Sequence, residues 1–388
     1  MTAQAPWPRA ARPLYPIRLA PPRRRWVVVV TVVVFALAGL AILGVIALRT
    51  GPVSFVLGLT LALIPVPLLV ASVLVLDRYE PEPRRLMVFS FFWGATAAAL
   101  IALVLNTAGS VILHQFTSGA TADLISASVG APIVEEGAKG AVIFLLLRVR
   151  RHELDGPIDG IVYAALVALG FAMTENVLYY SAAAMQGGTP GLIGTFVLRG
   201  VFSPFLHPMF TAATGIGLGY AAITRSHAAR VLAPIAGLVI AMLLHGTWNA
   251  AAEEHHLVAV YLFIMVPVFF GILAVALVER HRIKRLLARV LPMYAGAGWL
   301  IPADLQMLVS LSQRRRARRF LRSRGGRLAA IAMRDYQAAA TELALLHDRG
   351  ERGQLAPADF TFRQHDLLRA LRAARNVFTP YLSPPLGG

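Results

Sequence analysis

The stretch WVVVVTVVVFALAGLAILGVIAL, residues 26–48, decides what kind of protein this is. It runs 23 residues without a charged side chain, and about 20 apolar residues in a helix suffice to cross the hydrocarbon core of a bilayer. Six arginines precede it (Arg9, Arg12, Arg18 and Arg23–Arg25), and no small-residue cleavage site follows a short apolar core. It therefore reads as a retained anchor and not as a cleavable signal. Seven further stretches of the same kind follow, approximately Val53–Leu76, Met87–Leu113, Leu124–Leu147, Ile158–Tyr180, Leu198–Ile223, Val231–Ala252 and Leu257–Val278. Polar residues interrupt the fourth and sixth spans. The expected fold is all-α, a polytopic membrane helix bundle of about eight transmembrane helices. Composition points the same way: of 388 residues, 57% are hydrophobic and 15% charged, whereas soluble domains carry about 25% charged residues. Cysteine is absent from the sequence, which excludes disulfides, thiolate metal sites, Fe–S clusters and cysteine nucleophiles.

The formal charge of +17 is unevenly placed. Residues 1–278 hold 17 Lys/Arg against 12 Asp/Glu, and residues 279–388 hold 20 against 8. The chain thus divides into a basic segment (1–25), a transmembrane domain (26–278) and a basic tail (279–388). An even number of spans puts both termini on one side. Arg78, Arg84, Arg85, Arg148, Arg150, Arg151, Arg225 and Arg230 share that side, and only Arg49 and Arg199 fall opposite. Positive loops stay cytoplasmic, so both termini are expected there in a multi-pass protein of the cell membrane. In the tail, Leu328, Ile331, Leu343 and Leu346, then Leu367, Leu368 and Leu371, recur at helical spacing around an Arg349–Pro357 turn. They predict a small helical hairpin. Basic charge beside a bilayer points to anionic lipid headgroups as the tail's partner; the tail shows no nucleic-acid module signature, and no nucleic acid is expected.

Ionisable groups inside a span are costly and by default face a protein interior or a wet cavity. They occur in four consecutive spans: Glu135, Glu136 and Lys139 in the fourth, Glu175 with Asn176 in the fifth, His207 in the sixth, His245 with Asn249 in the seventh. Spans one, two, three and eight supply none. At a rise of about 1.5 Å per residue, Glu135, Glu175, His207 and His245 fall at a similar level between the midplane and the outer leaflet, which allows one shared site. Lys139 lies three and four residues after the two glutamates, so its ammonium can reach either carboxylate. Two adjacent carboxylates in a low dielectric titrate together, which suits a general base. His245 and Asn249 share a helix face, where the amide can hold the imidazole or donate to an oxyanion. Glu253, Glu254, His255 and His256 cluster in an outer loop and read as a solvated turn.

Several hydrolytic chemistries are missing. No HExxH motif is present, no serine in a GxSx pattern lies within a span, and Asp159 borders a span only at its cytoplasmic mouth. Glu/His chemistry is left: a glutamate to activate water and imidazoles to polarise or to bind metal. A Zn2+ with three His or Glu ligands is compatible with that set. A Glu/His relay at membrane depth also suits a proton- or cation-coupled transporter, the alternative reading.

Glu135-Glu136-Gly-Ala-Lys139, Phe171-Ala-Met-Thr-Glu175-Asn176, His207 within Phe-Leu-His-Pro-Met-Phe, and His245-Gly-Thr-Trp-Asn249 together resemble the motif set of the PrsW family. These are intramembrane proteases related to the CAAX-processing and bacteriocin-immunity membrane proteases. Asp77-Arg-Tyr-Glu-Pro-Glu-Pro83 and Asp159-Gly-Ile-Val-Tyr163 are similar to that family too, so the resemblance spans roughly residues 70–255. It implies an intramembrane endopeptidase in which Glu135 and Glu136 supply the water-activating carboxylate, assisted by Lys139. Glu175, His207 and His245 would be metal ligands or polarising groups, and Asn249 an oxyanion or orienting partner. The wider superfamily carries a histidine where this chain has Glu175. The implied partner is a membrane-anchored, single-span protein such as an anti-sigma factor, cut near the outer leaflet.

Overall fold

The computed structural model describes residues 25–76, 79, 82–150 and 156–382. The basic segment before Arg25, and Asp77, Arg78, Glu80 and Pro81 of the Asp77–Pro83 motif, lie outside them. The described residues form helices joined by short turns, without a strand, and fall into two compact units that divide between Arg280 and His281.

The first unit begins with α1 (Arg25–Thr50), α2 (Pro52–Leu63), α3 (Val66–Leu76) and α4 (Arg84–Phe92). A π-helical turn, Trp93–Ala98, joins α4 to α5 (Ala99–Phe116), and α6 (Gly119–Ile125) leads through a second π turn, Ser126–Gly130, into α7 (Ala131–Val149). Then come α8 (Pro157–Phe196), a third π turn (Val197–Phe202), α9 (Leu206–Ile223), α10 (His227–Glu253), α11 (Leu257–Val260), a fourth π turn (Tyr261–Met265) and α12 (Val266–Gly296). Gly188, at φ 58° and ψ −151°, breaks α8. A positive φ of this kind is open to glycine at little cost, which is why the chain turns there.

Among the described residues, six stretches are long and apolar enough to cross a bilayer: Trp26–Thr50, Pro52–Leu76, Arg84–Phe116, Pro157–Ile223, His227–Glu253 and Leu257–Gly296. The fifth and sixth spans of the sequence both lie within Pro157–Ile223, as α8 and α9, which pack against each other and are separate helices. Three charged side chains within two helical turns keep α7 out of the apolar class.

Burial shows where this unit is centred. In Pro157–Ile223, 83% of the apolar window is buried, against 17% in Trp26–Thr50 and 11% in Pro52–Leu76. Val28, Val29, Val32 and Leu40 on α1 are exposed, as expected of side chains that face lipid. The α8 and α9 helices cross almost backbone to backbone: a Cβ on Gly160 would lie 1.9 Å from the Gly215 carbonyl oxygen, and one on Gly215 would lie 2.2 Å from that of Gly160. Close approach through small residues is the general means of packing helices in lipid, where apolar burial gives no advantage over acyl chains. Tyr163 Oη donates to buried Glu82 at 2.6 Å, so one residue from the Asp77–Pro83 motif meets one from the Asp159–Tyr163 motif.

The second unit contains the last part of α12, α13 (Pro302–Val309), α14 (Leu311–Glu351), α15 (Pro357–Phe378) and a 3-10 turn (Thr379–Tyr381). The expected hairpin is present as α14 and α15, but α14 starts 16 residues before Arg327 and turns at Gly326, φ 67°. Leu287, Leu291, Leu308, Leu321, Tyr336, Leu343, Leu371 and Phe378 are buried in this unit.

Candidate active site

Four helices each deliver one part of a polar network. On α7, one helical turn brings Glu135, Glu136 and Lys139 to one side, all buried. Lys139 Nζ donates to Glu136 Oε1 at 2.9 Å and to Glu135 Oε2 at 3.5 Å. Its ammonium also lies 3.8 Å from the centre of the Phe171 ring on α8, a favourable cation–π placement. From α10, His245 sets Nδ1 at 3.1 Å from Glu136 Oε1 and Nε2 at 3.8 Å from Glu135 Oε2. From α9, His207 sets Nδ1 at 3.3 Å from Lys139 Nζ and Nε2 at 2.9 Å from Glu175 Oε2 on α8. The two imidazoles stand perpendicular, 5.1 Å apart, and Phe210 stacks on His245.

The two neighbouring glutamates are not equivalent. Glu136 is fully enclosed: Oε1 accepts from Lys139 and faces His245, and Oε2 accepts from Thr211 Oγ1 at 2.8 Å. Glu135 accepts from Asn106 Nδ2 at 3.2 Å through Oε1, and its Oε2 has only the long approaches from Lys139 and His245. Its Oε2 is therefore the less committed oxygen. Three carboxylates (Glu135, Glu136, Glu175) face two permanent cations (Lys139, Arg199), so with neutral imidazoles the network carries one uncompensated negative charge in a low-dielectric interior. A bound cation or proton is the natural compensation.

Of the eight residues singled out in the sequence, six meet here directly, Asn176 joins them through Arg199, and Asn249 stands apart. Asn249 Nδ2 donates to the Ala127 carbonyl at 2.9 Å, which ties α10 to the Ser126–Gly130 π turn. The orphan carbonyls of an irregular turn need such a donor, and the Asn249 amide serves the backbone here. Donor atoms of Glu135, His207 and His245 all lie within 4.8 Å of one another. Glu175, expected in place of Glu135, is ion-paired with Arg199. Glu253, Glu254, His255 and His256 are exposed.

Arg199, Asn106 and Thr211 escaped the sequence reading. Arg199 sits in the Val197–Phe202 π turn, donates to Asn176 Oδ1 at 2.7 Å as well as to Glu175, and covers the Tyr179 ring at 3.9 Å. Its position at a span end made it look like an outer-loop charge. Asn106 lies in a span expected to contribute nothing, and a single amide in an apolar helix was the one signal for it. Thr211 had none.

A family model described as PrsW family intramembrane metalloprotease matches residues 82–272, a range that contains the whole network and ends before the tail. Protease PrsW of Oceanobacillus iheyensis is 31% identical over 168 residues, 43% of this chain and 70% of that protein. The chain belongs to the PrsW family. The Geobacillus kaustophilus and Bacillus subtilis PrsW proteases are 28% and 29% identical over 183 and 173 residues, 46% and 45% of this chain and 72% of each relative. No solved structure matches. As a PrsW-family member the chain is an intramembrane peptidase, itself a multi-pass membrane protein, that acts on a protein substrate.

The PrsW family's description as metalloproteases can be set against the donors present. Two imidazoles and one carboxylate are a ligand set that suits Zn2+. Each imidazole has a carboxylate behind one nitrogen, Glu136 for His245 and Glu175 for His207, as is usual where histidines hold a metal. Lys139 already places a cation among the same donors. The residues fit.

Proposed function

We propose that Glu135, Glu136, Lys139, His207 and His245 form the catalytic centre of an endopeptidase that cuts a membrane-anchored, single-span protein, such as an anti-sigma factor, near the outer leaflet. The observation that carries this reading is the convergence of the Glu135, His207 and His245 donor atoms within 4.8 Å inside an apolar helix bundle. Glu135 turns its uncommitted Oε2 toward the reacting water and takes its proton. Glu136 fixes the His245 ring through Nδ1, and Glu175, held by Arg199, fixes His207 through Nε2. Lys139 keeps two adjacent carboxylates compatible at membrane depth. A Zn2+ held by His207 and His245, with Glu135 left to the water, would supply Lewis acidity to a peptide carbonyl or that water. The wider kinship with CAAX-processing proteases rests on motif order alone. Membership in a protease family does not favour the transporter alternative, and cytoplasmic termini remain part of this proposal through the arginine distribution.

The test is to express the parent chain, Glu135→Gln and His245→Ala with a panel of single-span substrates, and to measure metal in each purified protein. Cleavage by the parent alone is expected, with about one Zn2+ per chain lost from His245→Ala. Undiminished cleavage by both variants removes the reading. Parent cleavage that survives chelation, with no metal found, removes the Zn2+ and leaves the glutamate mechanism.

A further inference from the structure

In the second unit, arginines are handled in two ways. On α12, α14 and α15 most find a carboxylate. Arg282 reaches Asp348 at 3.3 Å and Arg289 reaches Glu351 at 2.8 Å, while Arg352 pairs with Asp348, Arg369 with Asp366, and Arg375 with Asp304. The first arm of α14 and the residues just past its turn are different. From Leu305 to Arg334 the sequence holds nine arginines and no acidic residue. One of them, Arg314, is buried and donates to the Leu308 carbonyl and to Thr341 Oγ1, both at 2.7 Å, anchoring the arm. Arg315, Arg316, Arg319, Arg322, Arg324 and Arg327 are exposed, and among the described residues none of the six pairs with a carboxylate.

Arg315, Arg319 and Arg322 follow one another at intervals of four and three, so they stand on one helix face, with Arg316 beside them. Like charges at this spacing repel and weaken a helix. A single glutamate among them would relieve the repulsion, as acidic residues do elsewhere in the unit. Phe320 lies within this charged surface, 42% exposed, with Arg324 stacked 5.3 Å over its ring, and Leu328 is 65% exposed just beyond. An exposed aromatic ring among arginines suits the headgroup level of a bilayer, where one end of a side chain is apolar and the other wet. The unit follows α12, whose first part belongs to the apolar stretch Leu257–Gly296, so this face is tethered to the bilayer by its own chain.

We propose that the exposed arginine face of Leu311–Arg327 docks on anionic phospholipid headgroups, with Phe320 entering the interface. The inference concerns residues beyond the matched protease region and stands whether or not the catalytic assignment does.

The chain has no cysteine, so Ser323→Cys on the same face provides a single labelling site. Full-length protein labelled there is reconstituted in nanodiscs of phosphatidylcholine alone or with phosphatidylglycerol, each with a headgroup-linked quencher. Several-fold stronger quenching is expected with phosphatidylglycerol. High salt should abolish it, as should the triple variant Arg315→Gln, Arg319→Gln, Arg322→Gln, whereas the corresponding Arg→Lys triple should keep it. Retention by the lysine triple separates lost charge from lost folding. Equal quenching in both lipids, or undiminished quenching in the glutamine triple, overturns the proposal. So does a duplex RNA that shifts the label equally in both discs while phosphatidylglycerol does not, since the face would then serve nucleic acid.

Discussion

His245 Nδ1 lies 3.1 Å from Glu136 Oε1, across 109 positions of chain, and this contact distinguishes two adjacent carboxylates that the sequence presents as equals. With His245, Lys139 and Thr211 around it, Glu136 has both oxygens occupied. Glu135→Gln is therefore expected to lower turnover by about 10²–10⁴-fold, the usual contribution of a general base, while thermal unfolding barely changes. Glu136→Gln should lower activity and also destabilise the protein by about 3–5 kcal/mol, the cost of breaking a buried ion pair. Parallel activity and unfolding measurements check the split; equal stability losses would contradict it.

Lys139 is fully buried between the two glutamates. Lys139→Met leaves both carboxylates without their shared cation and is expected to cost about 3–5 kcal/mol. Adding Glu136→Gln to it should recover part of that loss, because the second change removes one of the stranded charges. A double-mutant cycle with a coupling of about 1 kcal/mol or more is expected, and strict additivity would show that the pair does not interact.

Asn106 donates to Glu135 Oε1 at 3.2 Å, while its own Oδ1 is buried without a hydrogen-bond partner. A hydrogen bond to a charged group contributes about 1.5–3 kcal/mol, and an unmade one is costly. Asn106→Leu should reduce kcat about tenfold or more with little effect on KM, and the melting temperature should stay level or rise. A fall in stability with unchanged kcat would make Asn106 a packing residue only.

The Gly160–Gly215 crossing leaves no room for a methyl group. Gly160→Ala must push α8 from α9, and overpacking of this kind costs about 1–3 kcal/mol. Gly109→Ala, with nothing within 4 Å of its built Cβ, serves as the control and should be neutral or stabilising. Thermal unfolding in detergent distinguishes the two.

In the second unit, burial and the Asp304 carboxylate, to which Tyr336 Oη donates at 2.8 Å, hold the Tyr336 phenol above its ordinary value. A pKa raised in the folded state means that the folded protein holds this proton more tightly. The resulting stability is complete below the unfolded value of about 10 and is lost as pH rises beyond it. Denaturant unfolding followed through α14 should show stability falling through that range in the parent chain, and Tyr336→Phe should lose this dependence.

Much of the first unit was legible because lipid imposes a harsh rule on sequence. Long apolar runs such as Trp26–Leu48 have few other uses, and a carboxylate among them demands a partner, so Glu135, Glu175, His207 and His245 announced themselves. What resisted reading was ambiguous in polarity. Three charges in α7 blurred a span, and Arg199 at a helix end resembled a loop charge although it holds Glu175 and Asn176. Asn249 was read by its proximity to His245 on one helix, yet its partner is a backbone carbonyl exposed by the π turn at Ser126–Gly130.

The sequence by itself determined that the chain is a helical membrane protein with its ionisable groups gathered in four neighbouring segments, because charge in lipid is too costly to be incidental. Only the tertiary structure decided which carboxylate is left open, which one Arg199 claims, and that Asn106 and Thr211 take part. Those outcomes depend on which side chains meet across helices distant in the chain, and helical periodicity says which face a residue occupies but not what will stand opposite it.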